Sequence, residues 1–236
     1  MTSTHQLDDA TVSVRDQIAD ILTGIFETLM PLKLQTERLF AESAPTAAAV
    51  SALDPLAIAA LQREDDLIVG AGYVAAPGAV RDSDYWLQWW SDYNTPRTRR
   101  PERLVVEVDP HSESFNDYTR LPWYAVPVRT RQRHLAGPYV DYLCTDEYTL
   151  TATIPIVVRG QFLGVVGADV YANTLAQVIG PLLRPIGATG RSPFVVNESG
   201  RVLVADDASI TTGDLVSLAD LRLEPLADLP LALVVS

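Results

Sequence analysis

Only one cysteine, Cys144, stands in the chain, so no internal disulfide can form. No run of about 18 apolar residues occurs, which leaves nothing to cross a bilayer as a helix. The N-terminus, MTSTHQLDDATVSVRDQIAD, lacks the charged-then-apolar order of a signal peptide. Basic residues are scarce: 18 Lys and Arg against 30 Asp and Glu give a net charge of −12. That balance excludes a nucleic-acid partner, whose phosphates need clustered cations, and it disfavours anionic lipid. The three histidines, His5, His111 and His134, lie far apart and show no ligand spacing, so no metal site is expected. Phosphate-cradling glycine loops and the GxSxG nucleophile turn are missing too. No cofactor is indicated, and the chain reads as cytosolic.

What is present is a chain of 236 residues, nearly half of them hydrophobic, enough for one larger or two smaller units. Residues Asp8 to Glu42 read as a long helix. Ile18, Ile21, Leu22, Ile25, Phe26 and Leu29 form an apolar stripe on one face, and Pro31 is expected to kink or split it. Such a stripe packs on its own domain or pairs with a second copy, a possible homodimer. A short helix follows, restarting near Asp54-Pro55. Strands are expected at Leu67 to Ala75, Tyr85 to Trp90 and Arg103 to Val108. Arg97, Arg99 and Arg100 fall in a polar loop, as a solvated cluster. From Asp109 to Pro138 four prolines predict an irregular segment, and a segment that long tends to be functional.

A hairpin follows. Thr149, Thr151 and Thr153 alternate with Leu150, Ala152 and Ile154, as in a half-buried strand, and Arg159-Gly160 makes the turn. The returning strand, FLGVVGADV, ends near Asp169. A carboxylate there is costly to bury without a partner, and a cationic ligand is one such partner. Asn173 is placed as N-cap of the next helix. A second hairpin, SPFVVNESGRVLVAD, and a last strand, LPLALVV, close the chain.

Twelve of the aromatic residues fall between positions 70 and 145, among them Tyr118, Trp123, Tyr124 and Tyr139. Rings joined to Tyr139, Asp141 and Asp169 supply the parts of a cage for a small ammonium compound: faces for the cation, carboxylates for the charge. Asp146 and Glu147 read as solvated loop carboxylates. Two other readings fit the same residues. Cys144 and His134 lie ten residues apart, as an enzyme with a cysteine nucleophile would allow. A protein-interaction module without any ligand would use the N-terminal stripe.

Three segments carry a resemblance: GPYVD at Gly137 to Asp141, LTATIPI at Leu150 to Ile156, and LGVVGADV at Leu163 to Val170. Together with the long helix in front and the smaller unit behind, they resemble the Cache family of PAS-like sensor domains, in its double form with a shortened second half. The resemblance implies an α/β (α+β) PAS-like antiparallel sheet. It implies a helical segment over 1–53, a ligand-binding subdomain over 54–172 and a small second subdomain over 173–236. It also implies a sensor that binds a small molecule without turnover, not an enzyme.

In amino-acid-binding members a later Tyr and a final Asp hold the ligand ammonium, and Tyr139 and Asp169 match them. An Arg and the Trp side hold its carboxylate. Trp123-Tyr124 match that side, but Leu121 stands where the family Arg belongs, with Arg120 one place away and Tyr118 displaced. The resemblance therefore favours an amine, polyamine or amino-acid-like ligand. The expected ligand-binding residues are Tyr118, Arg120, Trp123, Tyr124, Tyr139, Asp141 and Asp169.

Overall fold

The computed structural model describes residues 9–62, 66–92, 101–140 and 147–235. Helix α1 (Asp9–Glu42) leads, followed by α2 (Ala47–Val50), a 3-10 turn and α3 (Asp54–Leu61). Then come β1 (Ile68–Ala75), β2 (Leu87–Ser91), β3 (Glu102–Arg103), a 3-10 turn at Tyr118–Arg120 and α4 (Pro122–Thr130). The long hairpin is preceded by β4 (His134–Val140) and consists of β5 (Tyr148–Val158) and β6 (Gln161–Tyr171). Helix α5 (Ala172–Gly187) connects to β7 (Pro193–Asn197), β8 (Val202–Ala205), β9 (Leu223–Pro225) and β10 (Leu231–Val235).

Among the described residues the strands form two antiparallel sheets. The larger runs β3-β2-β1-β6-β5-β4 and the smaller β8-β7-β10-β9. A long helix in front of antiparallel sheets is the α+β PAS-like architecture expected from the sequence.

Helix α1 runs unbroken through Pro31, contrary to the expected split. Leu29 and Leu32 are fully buried on either side of that proline, so packing holds the helix where one backbone bond is lost. Val14, Ile18, Leu22, Ile25, Phe26 and Leu29 lie buried along one face, packed on β5, β6 and α5. The apolar stripe is thus covered by the chain's own sheet and is no argument for a second copy. Asp54-Pro55 does restart the helix, with the proline in the first turn of α3.

The larger sheet is buried on both faces. Leu150, Ala152, Ile154, Val166, Ala168 and Val170 face α1 and share a single core with the smaller sheet. Thr149, Thr151 and Thr153 alternate with them but are buried as well, not turned to water as a half-buried strand would have them. The chain from Leu104 to Thr130 covers that second face. Thr153 shows how tightly: its hydroxyl donates to the Trp123 carbonyl at 2.8 Å. That carbonyl has lost its helical partner, because Pro127, four residues on, has no N–H to offer.

Three further expectations need correction. The strand Arg103 to Val108 shrinks to the edge pair Glu102–Arg103, after which the chain leaves the sheet to cross the second face. The irregular segment holds a helix, α4, because Pro122 sits in its first turn, where a missing N–H costs nothing. The N-cap of α5 is Tyr171, not Asn173, with no side-chain bond.

Candidate functional site

Asp169 reaches the second face of the sheet through a miscount in pairing. From the turn, Val158 pairs with Gln161 and Val157 with Phe162, but Ile156 pairs with Gly164. Leu163 is the extra residue of a β-bulge. Paired residues share a face, so without the bulge Asp169 would lie opposite Leu150, in the core. With it, Asp169 lies opposite Thr151. Gly164 makes the bulge possible: its φ is +135°, and a Cβ there would stand 2.2 Å from the Val74 carbonyl oxygen.

A second bulge aims Tyr139. Ala136 pairs with Thr151 but Tyr139 with Thr149, so β4 spends three residues where β5 spends two. Gly137, at φ +113°, sits within it, and a Cβ there would stand 2.6 Å from the Thr149 carbonyl oxygen. Two bulges, each with a left-handed glycine, thereby turn Tyr139 and Asp169 to one side.

There the polar groups form a chain. The Thr151 hydroxyl donates to Asp169 Oδ1 at 2.6 Å, and Tyr139 Oη lies 2.5 Å from Thr151 Oγ1. Thr151 has a single hydroxyl proton and directs it at the carboxylate, so Tyr139 is the donor to Thr151. Any further partner of the Tyr139 oxygen must then be a donor. The Asp169 residue is only 6% exposed.

These groups line a cavity of about 590 Å³, within the range of small-molecule sites. Val74, Leu87, Trp89, Leu104, Leu121 and Trp123 give it apolar walls, and Tyr118 adds a ring. Trp89 lies over Gly72 and Gly167, where a Cβ on either would press on its indole ring. Tyr118 stacks near Trp123 with ring centroids 6.4 Å apart. Its hydroxyl donates to the Ala75 carbonyl at 2.8 Å and accepts from the Trp86 amide at 3.3 Å. Burial pushes the Tyr118 and Tyr124 phenols well above their usual range, so both stay neutral at any physiological pH.

Of the residues expected from the sequence, Tyr118, Trp123, Tyr139 and Asp169 come together around the cavity. Tyr124 is buried behind them, edge-on to Tyr118 and Phe162, and supports the wall without lining it. Arg120 is a correction. The 3-10 turn that points Tyr118 inward points Arg120 out, with its side chain 87% exposed and paired to Asp117 at 3.0 Å. Asp141 lies outside the described residues, as do Cys144, Asp146 and the Arg97, Arg99 and Arg100 cluster. Sequence reasoning gave no site role to Trp89, Thr151 or Glu107, which also line the cavity.

Arg120→Ala is expected to leave ligand affinity unchanged and to shift stability by less than about 0.5 kcal/mol, since exposed ion pairs contribute little. Calorimetric titration beside a melting curve checks both.

A second crevice, of about 470 Å³, opens on the other side of Trp123 and Tyr139, where His134 meets the turn at Asn197 to Ser199 of the smaller sheet. Asn197 Nδ2 donates to the Gly137 carbonyl at 2.8 Å, tying that turn to the bulge. Burial is the main influence on His134 and lowers its pKa below the usual 6.5, with Glu198 opposing. Its imidazole is therefore easier to protonate in the unfolded chain. The stability it contributes is present above about pH 6.5 and is lost as the pH falls through its folded value. Melting temperatures should fall less on acidification from neutral pH to pH ~5.5 in His134→Gln than in the parent.

Residues 81–177 match the model of the methyl-accepting chemotaxis protein-like first PDC sensor domain. The chemotaxis protein PctB of Pseudomonas aeruginosa is 34% identical over 111 residues, which are 47% of this chain and 16% of PctB. McpA of Pseudomonas putida is 25% identical over 136 residues, 57% of this chain and 19% of McpA. The chain thus spans less than a fifth of these relatives.

Among solved structures, the ligand-binding domain of PctB in complex with L-Arg superposes with a TM-score of 0.59 at 18% identity, covering 94% of this chain and 89% of that one. The extracellular domain assigned to a histidine kinase, mmHK1S-Z2, gives 0.65 at 15% identity, covering 94% and 91%.

These findings overturn the cytosolic placement. The matched stretch is that of a sensor domain of membrane chemoreceptors, and the same fold serves as an extracellular domain. No helix among the described residues is long and apolar enough to cross a membrane, which holds equally for a sensor domain outside it. Residues 81–177, the stretch that matches the first PDC sensor domain of methyl-accepting chemotaxis protein-like receptors, include Trp89, Tyr118, Trp123, Tyr139, Thr151 and Asp169.

Proposed function

We propose that this chain is the ligand-sensing part of a signalling receptor, and that its cavity binds a small amine or amino-acid-like molecule without turnover. The observation that carries the reading is the Tyr139–Thr151–Asp169 chain beneath aromatic walls. A buried carboxylate beside rings suits a cation: an ammonium gains a charge-assisted bond to Asp169, a bond to the Tyr139 oxygen, and the faces of Trp89 and Trp123. Among the described lining residues there is no Lys or Arg, while Asp169 and Glu107 are both acidic. The net charge of −12 raises the local concentration of cations further.

Ligand binding orders the cover over the second face and is read out through the sheet to α1, which packs on its opposite side. The smaller sheet is the shortened second module of a double Cache arrangement, with the division near residue 172. Asn197 at the bulge that aims Tyr139 links the two.

A thermal-shift screen against amino acids, polyamines, quaternary amines, purines and carboxylates tests the reading. A ligand at 100 times its dissociation constant adds about 2.7 kcal/mol, a readable shift. Hits among compounds with an ammonium group support it. Silence across the panel, or hits confined to carboxylates, contradicts it.

A further inference from the structure

The end of β1 joins the cavity wall to the bulge that aims Asp169. Tyr118, a ring of the cavity, donates its hydroxyl to the Ala75 carbonyl at 2.8 Å. The N–H of that same peptide group, on Ala76, donates to the Leu163 carbonyl at 2.9 Å. Leu163 is the extra residue of the bulge, and its carbonyl accepts a second bond, at 2.6 Å, from the Tyr73 hydroxyl. Tyr73 is fully buried and pairs with Val166, so it stands on the face of the sheet that packs on α1. A hydroxyl in that apolar core is costly without a partner, and the bulge supplies one. The Tyr73 ring lies against Phe40, in the last turn of α1, with centroids 5.7 Å apart. One residue on, the Ala41 carbonyl accepts from Arg159, in the turn of the hairpin, at 2.8 Å. The end of α1 is thus tied to the hairpin twice, at its turn and, through Tyr73, at its bulge.

We infer that Tyr73 is a positioning residue of the ligand site, which holds the bulge in the register that presents Asp169 and carries occupancy of the cavity to the end of α1. This rests on the proposed binding function and names the side chain that links its site to the helix. The bonds from Tyr118 to Tyr73 run through one peptide group and one carbonyl, so each polarises the next. A movement of the wall or of the bulge reaches Phe40 through a single ring.

The test is a double-mutant cycle followed by amide exchange, both on the whole chain. Tyr73→Phe and Tyr118→Phe each remove one hydroxyl and keep the ring, and the Leu163 carbonyl keeps its Ala76 partner, so both variants are expected to fold. Each is expected to raise the unfolding equilibrium constant about fivefold. The double variant is expected to fall about threefold short of the product, whereas independent sites agree within about twofold. Additive effects overturn the inference, whatever binds in the cavity. Amide exchange is then read at positions 40–42 with and without saturating butylamine or L-arginine, since a helix end exchanges by local opening. In the parent the bound probe is expected to slow these amides. In Tyr73→Phe that slowing is lost at 40–42 and kept in β5 and β6. A tyrosine with a structural role alone would change exchange at 40–42 by the same factor with and without probe. No slowing there in the parent with probe bound, or equal slowing in parent and variant, overturns the inference and leaves the amine site standing. If neither probe binds the parent, the amine site fails, and the route from it to α1 fails with it.

Discussion

Asp169→Asn is expected to weaken binding of an ammonium ligand by at least about thirtyfold. The substitution keeps the side chain's shape and its capacity to accept from Thr151, and it removes only the charge. Cutting one partner from a buried, hydrogen-bonded charge pair typically costs about 2–5 kcal/mol, and each 1.4 kcal/mol is tenfold. The low end of that range already gives the thirtyfold loss. In the ligand-free chain the change acts the other way, because an amide is less costly than a carboxylate to keep 6% exposed. Affinity and melting temperature should therefore part company, the first falling steeply and the second holding or rising. Loss of both together would mean that Asp169 is part of the fold and not of a binding site. Unchanged affinity would remove Asp169 from the site.

Gly164→Ala is the second large effect, and it acts through the backbone. At φ +135° a side chain is strained whatever space surrounds it, at about 1–3 kcal/mol. The added Cβ would also meet the Val74 carbonyl oxygen at 2.2 Å and the Ala75 Cα at 2.9 Å, both backbone atoms of β1 that cannot swing away. Overpacking of that kind costs about 1–3 kcal/mol more. The sum is about 2–6 kcal/mol, or a drop in melting temperature of about 4–24 °C for a chain of this size. Relief of the strain lies in giving up the bulge, which would shift Asp169 away from Thr151. Protein that survives as folded should for that reason bind ligand poorly. Gly160→Ala is the control: it also has a positive φ, in the hairpin turn, but nothing stands within 4 Å of its added carbon. A melting curve showing Gly164→Ala no worse than Gly160→Ala would contradict the role given to the bulge.

The same bulges mark the limit of what the sequence discloses. Periodicity exposed the long helix, since Ile18, Leu22, Ile25 and Leu29 repeat at helical spacing and are buried as expected. It exposed the hairpin too, because Arg159-Gly160 is a turn signal in its own right, with both residues at positive φ. Counting back from that turn, however, pairs Asp169 with Leu150 and places it in the core. Only the extra residue at Leu163 corrects the register, and no local pattern announces it.

Arg120 failed for a related reason. One position along a 3-10 turn separates a side chain that lines the cavity from one in water, and spacing to a motif cannot resolve that difference. Helix α4 was hidden by prolines that read as breakers, although Pro122 starts the helix and Thr153 takes up the carbonyl that Pro127 leaves. Thr151 looked like a surface threonine because alternation reports two faces without saying what covers them. Its burial follows from the crossing of the chain after β3, a contact remote in sequence.

The proposed function requires an ammonium group at the Tyr139–Thr151–Asp169 end of the cavity. The most direct measurement is an experimental structure of the chain with the tightest amine from the screen. The ligand nitrogen is expected within hydrogen-bond distance of the Asp169 carboxylate and the Tyr139 oxygen, with its carbon chain against Trp89 and Trp123. A ligand bound in the crevice beside His134, or one that turns its nitrogen away from Asp169, would contradict it.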